Sequence, residues 1–173
     1  ALTYPFGSEE RKGEKAYATD GGTHAPLIIN CPGKVPQGVV CDDLVDFSDM
    51  LPTIADITGA DLPNVKLDGR SFWPQCQSKK GNPREWIYQY YYPKYRAAAA
   101  KHGQGMNKNE IVWVQNQHFK LYRDGTLYAV KDRYEKTPLG TGANKKVDQT
   151  RKLLQAAIDS MPNKAAKLSG GKK

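Results

Sequence analysis

The stretch from Lys15 to Trp73 decides how this chain is read: KAYATDGGTHAPLIINCPGKVPQGVVCDDLVDFSDMLPTIADITGADLPNVKLDGRSFW. Gly21-Gly22 marks a backbone turn, because paired glycines accept positive φ and close approach. Pro26 to Asn30 (PLIIN) is a short apolar run, read as a buried strand on its two isoleucines. Cys31-Pro32-Gly33 turns the chain, and Gly38-Val39-Val40 adds a short extended piece. Phe47, Met50, Leu51, Ile54, Ile57 and Thr58 then recur at helical spacing. Asp46, Ser48 and Asp49 are candidate N-terminal caps, Pro52 belongs in the opening turn, and Gly59 falls where a left-handed C-terminal cap belongs. Leu67-Asp68-Gly69-Arg70-Ser71 is a second glycine turn, anchored by Phe72 and Trp73.

Outward from this stretch the signals thin. Residues 1–14 show no periodicity, carry turn formers at Pro5, Gly7 and Gly13, and are expected to be a loop. Glu85 to Tyr92 (EWIYQYYY) is aromatic-rich and predicts a strand ended by Pro93. Arg96 to Gln104 is expected to be a loop, since Gly103 and Gly105 oppose the helical tendency of its alanines. Three strands follow, Ile111 to Gln115, His118 to Tyr122 and Thr126 to Val130. They are joined by turns at Asn116-Gln117 and Arg123-Asp124-Gly125, the latter an Asp-Gly hairpin signal. Val147, Leu153, Leu154, Ala157, Ile158 and Met161 mark a helix stopped by Pro162, and the polar tail 163–173 is expected to be disordered.

With 173 residues, 39% hydrophobic and 25% charged, the chain has the size and composition of one domain or two small ones. No apolar run approaches the ~18 residues of a membrane span. The start at Ala1 carries no secretory signal pattern and reads as that of an excised or processed piece. Cys31, Cys41 and Cys76 fit neither a metal pattern nor a disulfide framework. The net charge of +8 is unevenly spread: residues 1–80 carry 8 Lys+Arg against 11 Asp+Glu, whereas residues 81–173 carry 18 against 7. That shift predicts a boundary near residues 78–83 and a basic second half that attracts anions without choosing among them.

Chemistry-bearing patterns are few. There is no Gly-x-Ser-x-Gly elbow and no phosphate-binding loop, and His24, His102 and His118 are scattered. Asp42, Asp43, Asp46 and Asp49 could suggest a cation site, but they flank a helix start, where capping explains them better. His24 reads as a structural histidine ahead of a catalytic one. The aromatics from Trp86 to Tyr92 could stack on sugar rings but more often build a core.

In combination the motifs resemble the sulfatase family, whose large domain has the alkaline-phosphatase-like α/β fold. The family segment Lys-x-x-x-x-(Glu/Asp)-Gly-Gly-x-(Arg/His)-x-Pro is met by Lys15, Asp20, Gly21, Gly22, His24 and Pro26. The family's Asp-x-x-Pro-Thr helix ending in Gly is met by Asp49, Pro52, Thr53 and Gly59, and its Leu-Asp-Gly-x-Ser by Leu67 to Ser71. His118 to Tyr122 and Leu127-Tyr128 resemble its meander more weakly. The resemblance implies that Lys15 lies beside a sulfate ester as a catalytic residue. A sulfate monoester is anionic and its cleavage moves charge onto the leaving oxygen, which a fixed ammonium stabilises.

The departures are as informative. The family's formylglycine nucleophile arises from (Cys/Ser)-x-(Pro/Ala)-x-Arg, which none of Cys31, Cys41 and Cys76 matches. Its calcium-binding aspartates precede the lysine motif, where this sequence has fourteen residues. The expectation is therefore an α+β chain that is the C-terminal portion of a sulfatase. Residues 1–80 would close the large domain with its last strand and helix. Residues 81–173 would form a small antiparallel sheet of about four strands packed with a C-terminal helix. By itself the piece would be inert, with no cofactor of its own, and calcium and formylglycine would be implied for the parent. Its partner would be an anionic sulfate-ester substrate, with no membrane and with nucleic acid disfavoured, and a periplasmic or secreted parent is implied. The alternatives are a non-catalytic polyanion-binding module and a piece of a related phosphoesterase.

Overall fold

The computed structural model describes residues 3–12, 14, 17–91, 110–142 and 144–161. The predicted loop 96–104 and tail 163–173, and the lysine at position 15, lie outside them. Two compact units emerge, one of residues 1–25 with 88–173 and one of residues 26–87.

The first unit holds a four-stranded antiparallel sheet in the order β3 (Ile87–Tyr91), β4 (Ile111–Gln115), β5 (Phe119–Tyr122) and β6 (Leu127–Ala129). The predicted meander is present, with Trp113 opposite Tyr122 and Leu121 opposite Leu127. The Asn116 carboxamide accepts from the His118 and Phe119 amides at 2.9 and 2.8 Å and closes the first turn. Gly125, at φ 85°, makes the second. Alternation along β4 and β5 sorts the side chains to two faces. Ile111, Trp113, Tyr122 and Tyr128 gather with Ala18 in one buried cluster. Val112, Val114, Leu121 and Leu127 point the other way and are buried. The C-terminal helix (Lys145–Ser160), capped by the Asn144 side chain on the Val147 amide at 2.9 Å, packs across β4 and β5. It buries Val147, Leu154, Ala157 and Ile158.

Residues 3–12 depart from the expected loop. They form a hairpin of β1 (Thr3–Phe6) and β2 (Glu9–Lys12), with Phe6 opposite Glu9. Gly7, at φ 63°, occupies the first position of the two-residue turn, where only a glycine is at ease. Tyr4 and Phe6 alternate in β1, but β2 is Glu-Glu-Arg-Lys, so periodicity does not extend across the pair.

In the second unit the predicted helix is present. A 3-10 turn (Phe47–Asp49) leads into α2 (Met50–Thr58), which ends at Gly59 with φ 71°. (The shorter helices are α1, Asp20–Thr23, and α3, Trp73–Cys76, and the C-terminal helix is α4.) Asp46 and Asp49 form a reciprocal capping box, so these aspartates cap as expected. The Asp49 carboxylate is buried and also accepts from the Arg70 amide at 2.8 Å and from Arg84 Nε at 2.7 Å. Arg84 adds bonds to the Asp68 carbonyl and the Ser48 hydroxyl, both 3.0 Å. Thr53 donates to the Asp49 carbonyl at 2.7 Å and accepts the Phe72 amide at 3.0 Å. The Asp-x-x-Pro-Thr and Leu-Asp-Gly-x-Ser motifs are thus two sides of one network. Gly69 is required there, because a Cβ would stand 1.8 Å from the Ser48 carbonyl oxygen.

The run 26–30 is not a strand here, and its side chains are exposed, Ile28 at 87%. Val40 is 86% and Phe47 89% exposed, and Leu51, Ile54 and Ile57 of α2 also face out, while Pro52, Thr53 and Ala55 are buried. A strand exists only through hydrogen bonds to a neighbouring strand, and among the described residues nothing pairs with 26–30.

Two outcomes follow for this chain. Burial works to raise the Asp49 pKa, but the Arg84, Arg70 and Asp46 hydrogen bonds outweigh it and hold the carboxyl below its usual value. Asp49→Asn is expected to cost about 3 kcal/mol near neutral pH, since it leaves the Arg84 guanidinium without its counter-charge. A depressed carboxyl pKa gives stability that is complete above the unfolded value of about 3.9 and fades as pH falls through the folded value. Urea melts should therefore show the gap between the two proteins narrowing below about pH 4; a gap independent of pH would refute the assignment. By contrast, Ile28→Ser and Ile54→Ser should each change stability by less than about 0.5 kcal/mol, as surface positions do, and should lower the binding of a hydrophobic dye.

Candidate functional site

The predicted site residue, Lys15, lies outside the described residues, but the segment around it is built in detail. Tyr17 N donates to the Glu14 carbonyl at 2.9 Å, across positions 15 and 16. The Thr19 hydroxyl donates to the Glu14 carboxylate, and Gly22 N to the Thr19 carbonyl at 2.9 Å. The Gly-Gly pair then enters α1, a single helical turn. A Cβ on Gly22 would lie 2.3 Å from the Tyr17 carbonyl oxygen and 2.5 Å from that of Glu14, so the motif's second glycine is a packing requirement. Asp20 opens the turn, where a carboxylate favours the helix N-terminal end. It also meets His24 Nδ1 at 3.1 Å and Arg133 Nη1 at 3.9 Å. His24 is exposed and hydrogen-bonded, as a structural histidine is.

Ala18 and Thr19 are buried, and Ala18 packs on the face of the four-stranded sheet. The Ala18 methyl sits in the cluster of Ile111, Trp113, Tyr122 and Tyr128, with Tyr91 against its edge. Beside it, the Lys120 ammonium donates to the Ala18 carbonyl and to Glu135 Oε1, the latter at 2.9 Å. The Lys120 side chain is 4% and that of Glu135 3% exposed. The Tyr122 hydroxyl donates to the Glu135 carboxylate at 2.7 Å. The ammonium also lies 4.6 Å from the Trp113 ring centre and 5.0 Å from that of Tyr122, within cation–π range. Burial pulls the Lys120 pKa below its usual value, with Glu135 opposing, and burial followed by Glu135 pushes the Tyr122 phenol up. At neutral pH the phenol therefore stays a donor. Glu135 holds a left-handed backbone at φ 53°, a conformation that non-glycine residues keep only where their surroundings insist on it.

This cluster was not among the sequence candidates. One signal could have found it: in period two, Lys120 shares the face of Tyr122 rather than that of Leu121, so a charged side chain falls on an aromatic face. Nothing in the spacing points from there to Glu135.

As to metals, no group of three His, Cys, Asp or Glu side chains able to hold an ion occurs among the described residues. Asp46 and Asp49 are committed to capping and to Arg84. Cys31, Cys41 and Cys76 are free thiols. The described residues therefore do not fit a calcium site. No helix among the described residues is long and apolar enough to cross a membrane.

Known proteins are similar to this chain in sequence. Human arylsulfatase A is 36% identical over 81 residues, 47% of this chain and 15% of that protein. The uncharacterised Escherichia coli sulfatase YdeN is 38% identical over 85 residues, 46% of this chain and 15% of its own length. A solved 2-O GAG sulfatase superposes with a TM-score of 0.45 at 22% identity, covering 64% of this chain and 24% of that one. The matched part is thus about 15% of the length of these curated relatives. A family model described as N-sulphoglucosamine sulphohydrolase, C-terminal, matches residues 9–139, from the first hairpin through the lysine motif to the far end of the sheet, and the chain belongs to that sulfatase C-terminal family.

Proposed function

We propose that this chain serves as the C-terminal part of a sulfuric ester hydrolase, in which Lys15 contacts the sulfate ester. In that arrangement residues 1–80 close the large domain and residues 81–173 make the small one. The observation that carries the reading is the set of contacts that Glu14 and residues 17–24 make. These glycine, threonine and carboxylate contacts bracket position 15, and all of them fall inside the family match. A lysine side chain has long reach and many rotamers, so fixing its backbone is the first condition for placing its charge. An ammonium held where the leaving oxygen becomes negative stabilises that charge without reorganising at the moment of reaction. Calcium and a formylglycine nucleophile belong, on this reading, to a segment other than this one.

The exposed apolar residues of the second unit support the same reading. Ile28, Val40, Phe47, Leu51 and Ile54 are all more than half exposed, and a large exposed apolar patch marks an interaction surface. Upstream sulfatase sequence is the partner proposed to cover them.

In the longer protein assayed with an aryl sulfate, Lys15→Ala is expected to lower kcat about 100-fold, the effect of removing one donor to a developing oxyanion. The 173-residue chain alone should give no turnover. Turnover by the isolated chain, or an unchanged kcat in the variant, would sink the reading.

The basic second half has a separate role on this reading, in steering the anionic substrate. Lys131, Lys136, Lys145, Lys146 and Lys152 are exposed. Reversing them to Glu should weaken apparent substrate affinity at low salt and flatten its dependence on ionic strength. An unchanged salt dependence would remove steering and leave the assignment of Lys15 standing.

A further inference from the structure

We propose that Lys120 is a positioning residue for the segment that carries Lys15, acting through the Ala18 carbonyl. The inference rests on the role proposed for Lys15 and extends it to a strand of the small sheet. Ala18 is three residues from Lys15, and each of its parts is held: the methyl in the aromatic cluster, the carbonyl by the ammonium. The next residue, Thr19, is buried and bonded back to Glu14, the residue just before the lysine. Displacing the Ala18 carbonyl would therefore disturb Thr19 and, through its hydroxyl, Glu14.

The ammonium in turn cannot drift. Glu135 Oε1 takes one of its protons at 2.9 Å, and the rings of Trp113 and Tyr122 close two further directions. The Tyr122 hydroxyl holds Glu135 at 2.7 Å, and the Glu135 backbone is bound at φ 53° with its amide on the Asp132 carbonyl at 2.8 Å. Each partner is thus oriented by another, from β4, β5 and the turn after β6. A sheet assembled only to bury surface has no need of an ammonium inside its aromatic face, since an apolar side chain of similar volume would serve there at lower desolvation cost. What the ammonium adds is a directed bond to one backbone oxygen of the lysine-bearing segment.

The test is a double-mutant cycle in the longer protein, with Lys15→Ala, Lys120→Met and their combination assayed on an aryl sulfate. Lys120→Met should lower kcat by roughly 10- to 100-fold, as misplacement of a catalytic group by about 1 Å does, and leave KM within about three-fold if binding is carried elsewhere. In the Lys15→Ala background it should cost nothing further, because the group it positions is gone. If the two losses multiply, or if Lys120→Met shifts the melting temperature but not kcat, Lys120 is only structural and the proposal fails. If Lys15→Ala itself leaves kcat unchanged, the assignment of Lys15 fails first and this proposal with it. Should Lys120→Met not yield folded enzyme, Glu135→Gln is read in the same cycle. It keeps the side-chain shape and removes the charge that holds the ammonium, and the same two outcomes decide.

Discussion

An ammonium inside an aromatic face is the constraint around which the first unit is arranged. Removing Lys120 Nζ from water costs several kcal/mol, which only a complete set of partners offsets. Those partners come from four places in the sequence: the Ala18 carbonyl, the Trp113 ring on β4, the Tyr122 ring and hydroxyl on β5, and the Glu135 carboxylate beyond β6. None of them is useful to the ammonium unless the others are in place. The sheet register that sets Trp113 opposite Tyr122, the turn that turns Glu135 inward, and the path of residues 17–20 are therefore selected together. A purely apolar cluster would tolerate small slips among these segments; directed bonds to a buried charge do not.

The second unit solves a similar problem with the opposite charge. Asp49 is buried as a carboxylate and satisfied by two backbone amides and the Arg84 guanidinium, whose remaining protons reach Asp68 and Ser48. The difference lies in what surrounds the pair. Around Lys120 the apolar residues are inside, whereas around Asp49 the long apolar side chains of α2 look outward and the buried face is proline, threonine and alanine. The polar network thus carries the local order of residues 46–84, and close approach at Gly69 is what lets its two loops meet.

These differences explain what was legible in the sequence. The meander could be read because β-branched and aromatic runs, an Asp-Gly turn and a tight turn at Asn116-Gln117 are local signals, each complete within a few residues. The helix after Asp46 could be read for the same reason, down to its glycine cap. The run 26–30 was read as a strand from composition, yet strand formation depends on a neighbour that composition cannot supply. The first hairpin was missed from the other side, since its second strand is wholly charged, its first holds a proline, and only Gly7 announces the turn. At the site, the lysine motif identified its segment through residue types at fixed spacing. The Lys120 cluster joins positions more than a hundred residues apart, and no local pattern reports a contact of that range.

On the role proposed for Lys15, the packing of Ala18 on the sheet has a physical rationale. Electrostatic stabilisation of a transition state depends on charges already in place, because moving them during reaction returns much of the energy gained. A lysine on an unsupported loop would have to be ordered at each turnover, at a cost of about 1–2 kcal/mol per residue fixed. Ala18 and Thr19 are instead buried, and the Ala18 carbonyl is held by an internal charge. On the role proposed for Lys15, the ordering is completed when the small sheet folds, before substrate arrives. On that proposal the sheet would contribute to catalysis through the backbone it holds at Ala18, and the hydrogen bond from Lys120 would give its buried charge a purpose beyond the stability of the fold.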